Sequence, residues 1–134
     1  MRTRCTINKL ADVPEPDVRE RLGRSIHLDG PITDLVIGQE YAVQALTERD
    51  GGLWLFLHTV AQSEFPYPYP AEMFETRDTT LPLGWCICLQ KEHGKIKWKQ
   101  ISFPEWANDE HFYEKLVEGN RETVSVYQRR MIRP

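Results

Sequence analysis

No apolar run in this 134-residue sequence approaches the roughly 20 residues that a membrane-spanning helix needs. Met1 to Leu10 also lacks the apolar core of a signal peptide, so the chain is expected to be soluble and cytoplasmic. Cysteine is scarce: Cys5, Cys86 and Cys88 are odd in number and lack the dense spacing of a secreted disulfide scaffold, in keeping with a reducing compartment. Charge of either sign is not in large excess. Seventeen basic residues against twenty acidic ones leave a net charge of -3, too weak a field to imply a nucleic-acid or membrane partner. No serine stands in a G-x-S-x-G setting, and neither a glycine-rich phosphate loop nor a paired C-x-x-C unit is present. These absences argue against the common hydrolase, nucleotide-binding and zinc-ribbon classes, and no catalytic residue, metal ligand set or cofactor is assigned.

What is present suits one globular domain over residues 1–134. Hydrophobic residues make up 40% of the chain and charged residues 28%, and four tryptophans argue against disorder. Thr3, Cys5 and Ile7 alternate with Arg2, Arg4 and Thr6, the period of a strand with one buried face. Asp12, Pro14, Glu15 and Asp17 predict the start of a short helix that Gly23 ends, with Val18 and Leu22 facing inward. After a kink at Gly38, Tyr41, Val43 and Ala45 predict one face of a strand. A turn through Asp50-Gly51-Gly52 then leads into Leu53–His58, a strand apolar on both faces and therefore central. Trp85–Gln90 and Lys95–Ile101 predict a second hairpin across Glu92-His93-Gly94, with Ile96 and Trp98 inward and the lysine face wet.

Near the end, Asn108 is expected to cap a helix from Asp109 to about Glu118, with Phe112, Tyr113, Leu116 and Val117 inward. Gly119-Asn120 stops it, and the alternation of Thr123, Ser125 and Tyr127 with Val124 and Val126 predicts a last strand before a basic tail. Six strands joined mainly as hairpins, with two short helices, indicate an α+β domain built on a curved, mainly antiparallel sheet or a small SH3-like barrel.

The most distinctive stretch is Glu64-Phe65-Pro66-Tyr67-Pro68-Tyr69-Pro70-Ala71-Glu72-Met73-Phe74-Glu75. Alternating prolines force extended backbone, so the tyrosine rings are held apart at low entropic cost. Tyr67 and Tyr69 either cover the open end of the sheet or belong to an interface, where tyrosine is enriched. Acids surround them: Glu72, Glu75 and Asp78 follow, while Glu110, Glu114 and Glu118 fall at four-residue steps along one helix face. Such a strip is either a wet helix face or a surface for a basic partner.

Other chemistry is weaker. Cys86 and Cys88 share a strand face and could join His93 around a metal, but without a fourth ligand set they read as small buried hydrophobes. His27, His58, His93 and His111 sit in no catalytic signature. A hydrolase using His58 or His111 with Glu40 or Glu72 is the enzymatic alternative. Trp98 points opposite to Lys97 and Lys99, so ring and charges form no single-strand nucleic-acid platform.

In order along the chain, "LVIGQEYAV" (Leu35 to Val43), "LWLFLH" (Leu53 to His58), "YPYPAEMFE" (Tyr67 to Glu75) and "FYEKLVEGN" (Phe112 to Asn120) resemble small bacterial immunity proteins that neutralise secreted or contact-delivered toxins. The resemblance implies a domain without catalysis that binds a cognate toxin and occludes it; nucleases are among the toxins so neutralised. An acidic surface would then stand in for the phosphate backbone. Tyr67, Tyr69, Glu72, Glu75, Asp78, Glu110 and Glu114 are the partner-binding residues so implied. A small protein- or peptide-binding domain of another role is the alternative.

Overall fold

The computed structural model describes residues 1–60 and 62–133. Its sheet begins with β1 (Arg2–Cys5), which is followed by a 3-10 turn at Leu10–Asp12 and helix α1 (Pro16–Gly23). The chain then enters β2 (Glu40–Arg49), β3 (Gly52–Leu57) and β4 (Tyr67–Pro70), and a second 3-10 turn at Ala71–Met73 delivers β5 (Phe74–Asp78). The hairpin β6 (Cys86–Glu92) and β7 (Lys95–Ser102) precedes α2 (Pro104–Ala107), α3 (Phe112–Val117) and α4 (Arg121–Arg130). Every ladder is antiparallel, and the fold is α+β as expected. No helix among the described residues is long and apolar enough to cross a membrane.

Strand order explains the curvature. The main path runs β4-β3-β2-β1-β5, so β4 and β5 lie at opposite ends of a five-strand sheet. Drawn flat, four inter-strand gaps of roughly 4.8 Å would separate them by about 19 Å. Only a three-residue 3-10 turn joins the two strands, and four residue steps reach about 14 Å at most. The sheet must therefore curl, and it does so without a ladder between β4 and β5. Pro68 and Pro70 permit this, because a strand with proline at every second position keeps N–H groups only at Tyr67 and Tyr69, which suits an edge.

The long strand β2 carries two partners in sequence on one edge: Glu40–Ala42 pair with β1, and Leu46–Thr47 pair with β7. Its other edge pairs with β3, and there the register slips between Val43 and Ala45. Gln44 is the extra residue of this bulge, and it reverses which face each later side chain takes. Tyr41, Val43 and Ala45 therefore do not share one face, contrary to the alternation. Tyr41, Val43 and Leu46 belong to the inner core with Cys5, Leu22, Leu35, Leu55, Leu57 and Met73. Ala45 belongs to an outer core with Phe56, Phe103, Trp106, Phe112, Leu116 and Tyr127, where the three C-terminal helices cover the sheet. Buried Gln44 is put to use: its side-chain nitrogen donates to the carbonyl of Ile132 at 2.7 Å, and its oxygen accepts from the N–H of Ile132 at 2.8 Å.

Turn chemistry follows the sequence. Asp50 and Gly51 between β2 and β3, and His93 and Gly94 between β6 and β7, all have positive φ, the requirement of a two-residue hairpin turn that matches strand twist.

Other expectations are corrected as well. The segment Thr123–Tyr127 is helical, not a strand, within α4. The side chain of Asn120 accepts from the N–H of Thr123 at 3.1 Å, and Thr123 and Tyr127 are buried one helical turn apart. The acidic helix spans only Phe112–Val117, since Asn108 ends α2 and the side chain of Asp109 accepts from the N–H of His111 at 3.0 Å. Tyr67–Pro70 and Phe74–Asp78 are strands that the proline and charge content concealed.

Candidate functional site

The proline-tyrosine strand and the acidic helix meet. The hydroxyl of Tyr113 on α3 donates to the carbonyl of Pro66 at 2.7 Å, and its ring meets Phe65 edge-on at 6.3 Å. Burial pushes the Tyr113 phenol up to about 12, so it stays a donor throughout the physiological range. Phe65 in turn packs on Tyr67 with ring centroids 5.3 Å apart. Tyr67 is half-buried at this rim, with Glu64 exposed just before it. Glu110, Glu114 and Glu118 are exposed at and around the helix, and His111 lies between the first two, 3.3 Å from Glu110 and 3.4 Å from Glu114. Glu110 also borders a hollow with Cys88, Gln90 and Lys99, on the side of β6 and β7.

The remaining members of the expected set lie elsewhere. Tyr69 is only 7% exposed, and its hydroxyl is bonded to that of Thr59 at 2.6 Å, so it is a core residue that closes the inner cluster. Glu72 turns back to an ion pair with Arg21 of α1. Glu75 is held by Arg4 at 3.0 Å and Arg77 at 3.4 Å, and the hydrogen bond from Arg4 keeps its carboxyl below the usual range. Asp78 accepts from the N–H of Thr80 at 3.0 Å, which lowers its carboxyl likewise. Arg2, Arg4 and Arg77 border the same shallow hollow of about 130 Å³ as Glu40, Glu75 and Asp78. This flank is charge-balanced, and it does not extend the acidic face.

A larger cleft of about 430 Å³ lies between β2, the β3–β4 loop and the C-terminal tail, lined in part by Glu40, Tyr41, Gln44, His58, Thr59 and Met131. Its polar groups are largely engaged within the fold. Gln44 holds Ile132, Thr59 bonds Tyr69, and the hydroxyl of Ser63 donates to the carbonyl of Phe65 at 2.7 Å. Nε2 of His58 lies 2.5 Å from the hydroxyl of Tyr127, a residue with no exposed surface. Burial lowers the imidazole's affinity for a proton and raises that of the phenolate, so the pair is neutral.

His58 should make stability depend on pH in a window of its own. Its folded value lies below 6.5, the value of a free side chain, so the unfolded chain binds the extra proton. The contribution is complete above 6.5 and is lost as pH falls through the folded value. Urea midpoints between pH 7 and 5 are expected to fall for the parent and to flatten for His58→Gln; parallel slopes would show that other groups carry the dependence. Glu75, Asp78 and Asp109, all with lowered values, act at lower pH.

The cysteines are dispersed. Cys5 is buried in the inner core and its thiol donates to the carbonyl of Ile7 at 3.4 Å, while Cys86 and Cys88 sit half-buried on β6. Among the described residues no group of three or more His, Cys, Asp or Glu is placed to hold a metal ion. One feature escaped the sequence reading: Ile96, expected to point into the core opposite the lysines, is exposed, and so are Ile87 and Leu89 across from β7. Alternation assigns a side chain to a face; it does not say whether that face is covered.

Comparison of the chain with protein-family models, with curated proteins and with solved structures finds no match.

Proposed function

We propose that the chain is an immunity protein that binds a cognate bacterial toxin domain and occludes it without catalysis. One observation supports the reading beyond the motif resemblance: α3, which bears exposed Glu114, is tied by Tyr113 to the carbonyl of Pro66, next to half-buried Tyr67. A rigid ring at a rim of carboxylates suits a basic cleft, the kind that a nuclease offers its substrate. The contact set is accordingly Tyr67, Glu110 and Glu114, while Glu72, Glu75 and Asp78 are engaged within the fold and Tyr69 is core.

The roles differ in kind. Long-range attraction acts on encounter, so Glu110→Lys with Glu114→Lys is expected to slow association about tenfold at low salt, with the deficit shrinking as salt is added. Tyr67→Ala is expected to act on dissociation instead. Coexpression with the protein encoded immediately upstream is the direct test. A stable complex and restored growth support the reading; absence of both sinks it.

A further inference from the structure

Among the described residues β4, β5 and β6 each pair with one strand only, and two of these edges are guarded. β4 carries Pro68 and Pro70, which deny an incoming strand its hydrogen bonds, and β5 is short and bears Glu75, Arg77 and Asp78. β6 is seven residues long, Cys-Ile-Cys-Leu-Gln-Lys-Glu, with neither proline nor glycine. The irregularity in its ladder belongs to its neighbour, since Cys88 pairs with Gln100 and Leu89 with Trp98, which leaves Lys99 of β7 as the extra residue. Among the described residues no strand pairs with the outer edge of β6.

The side chains there are also uncovered. Ile87 is 55% exposed and Leu89 61%, and Ile96, opposite Lys91, is 70% exposed. Half-buried Trp98 and Ile101 continue this face into the inner core. Leu83, in the loop leading into β6, is fully exposed. A long apolar edge open to solvent is what soluble proteins avoid unless another chain uses it.

Charge selects the occupant. The hairpin Cys86–Ser102 has Lys91, Lys95, Lys97 and Lys99 against Glu92, a net +3 in a chain of -3, so the remainder carries -6. Lys99 is turned to Glu48 and Lys97 to Glu92, each at 3.5 Å, whereas Lys91 and Lys95 have no ion-pair partner among the described residues. A second copy joined edge to edge would set one +3 hairpin against another. An acidic strand meets a hairpin of opposite net sign, with Asp109 and Glu110 bordering its Cys88 and Gln90 side.

We propose that the outer edge of β6 is a docking site for an extended segment of a partner protein in which apolar and acidic residues alternate. The segment adds a strand to the sheet; its apolar side chains lie over Ile87 and Leu89, and its carboxylates face outward in the field of Lys95 and Lys97. The site does not depend on the toxin reading, because it rests on the open edge of β6 and not on Tyr67 or Glu114, although Glu110 borders a hollow with Cys88, Gln90 and Lys99.

The full isotope-labelled chain is titrated with the blocked octapeptide (Val-Glu)4 and with (Val-Lys)4, and the amide resonances are followed. Saturable shifts over Ile87–Glu92 are expected with the glutamate peptide alone, weakening with salt. Leu89→Lys, at a site exposed enough to leave the fold intact, should weaken binding about tenfold, and so should joint reversal of Lys91, Lys95 and Lys97 to glutamate. No binding, shifts mapping elsewhere or equal affinity for the lysine peptide would overturn the proposal. So would a dimer in sedimentation that Leu89→Lys abolishes, since the edge would then belong to a second copy. A failed toxin rescue leaves these outcomes unchanged, and the reverse also holds.

Discussion

Trp106→Ala is expected to lower stability by about 3–5 kcal/mol, the usual cost of emptying a large aromatic site in a core. Trp106 is buried on α2 at the centre of the outer cluster, stacked on Phe112 at 5.4 Å and on Tyr113 at 6.0 Å. Phe56 at 4.9 Å, Phe103 at 5.8 Å and Tyr127 at 6.1 Å meet it at steeper angles. Five rings from β3, the entry to α2, α3 and α4 thus converge on one indole, and none can collapse into the void without abandoning its own contacts. Urea unfolding followed by circular dichroism measures the loss, and a change below about 1 kcal/mol would show that the outer core repacks freely. The effect should spread to the acidic face, since Tyr113 stacks on Trp106 and bonds Pro66. Amides of Phe65 to Tyr67 are expected to exchange faster with solvent in the variant.

The second large effect concerns a glycine needed for space and not for backbone freedom. Gly52 starts β3, and a Cβ built there would lie 1.5 Å from Nη1 of Arg21 and 2.7 Å from its Cζ. Gly52→Ala must therefore shift the guanidinium, the flexible end of a side chain that pairs with Glu72 on the turn between β4 and β5. Breaking a fully buried pair by removing one partner costs about 3–5 kcal/mol. These side chains keep 17% and 30% of their exposure, which reduces the expected loss to about 1–3 kcal/mol. Because the alanine acts by displacing Arg21, the double change Gly52→Ala with Arg21→Ala should be no worse than either alone. Additive losses in that cycle would show that the methyl group harms the fold by another route.

Much of the sheet was legible because its signals are local. Asp50-Gly51 and His93-Gly94 demand tight turns, and the flanking strands follow from them. Prolines and charges hid β4 and β5, because edge strands tolerate residues that central strands exclude. The alternation of Thr123–Tyr127 misled: Val124 and Val126 favour a strand, yet the cap at Asn120 and the four-residue step from Thr123 to Tyr127 prevail once packing rewards one helical face. Of the candidate site, the nearness of Tyr67 and α3 depends on one hydroxyl reaching a carbonyl forty-seven positions away, which no local pattern contains. Arg21 likewise reaches Glu72 across 51 positions, and Arg4 meets Glu75 because the two are paired across the β1–β5 ladder.

The bulge at Gln44 also bears on how this protein can change over generations. It acts as a phase marker: residues before it address the inner core on one parity and residues after it on the other. Loss of any other single residue of β2 would turn the side chains on one side of the gap out of their cores, and loss of Gln44 itself would untie Ile132. Length variation should therefore collect in connections such as Thr79–Trp85, where the chain is mostly exposed, while β2 stays fixed in length even where its side chains drift.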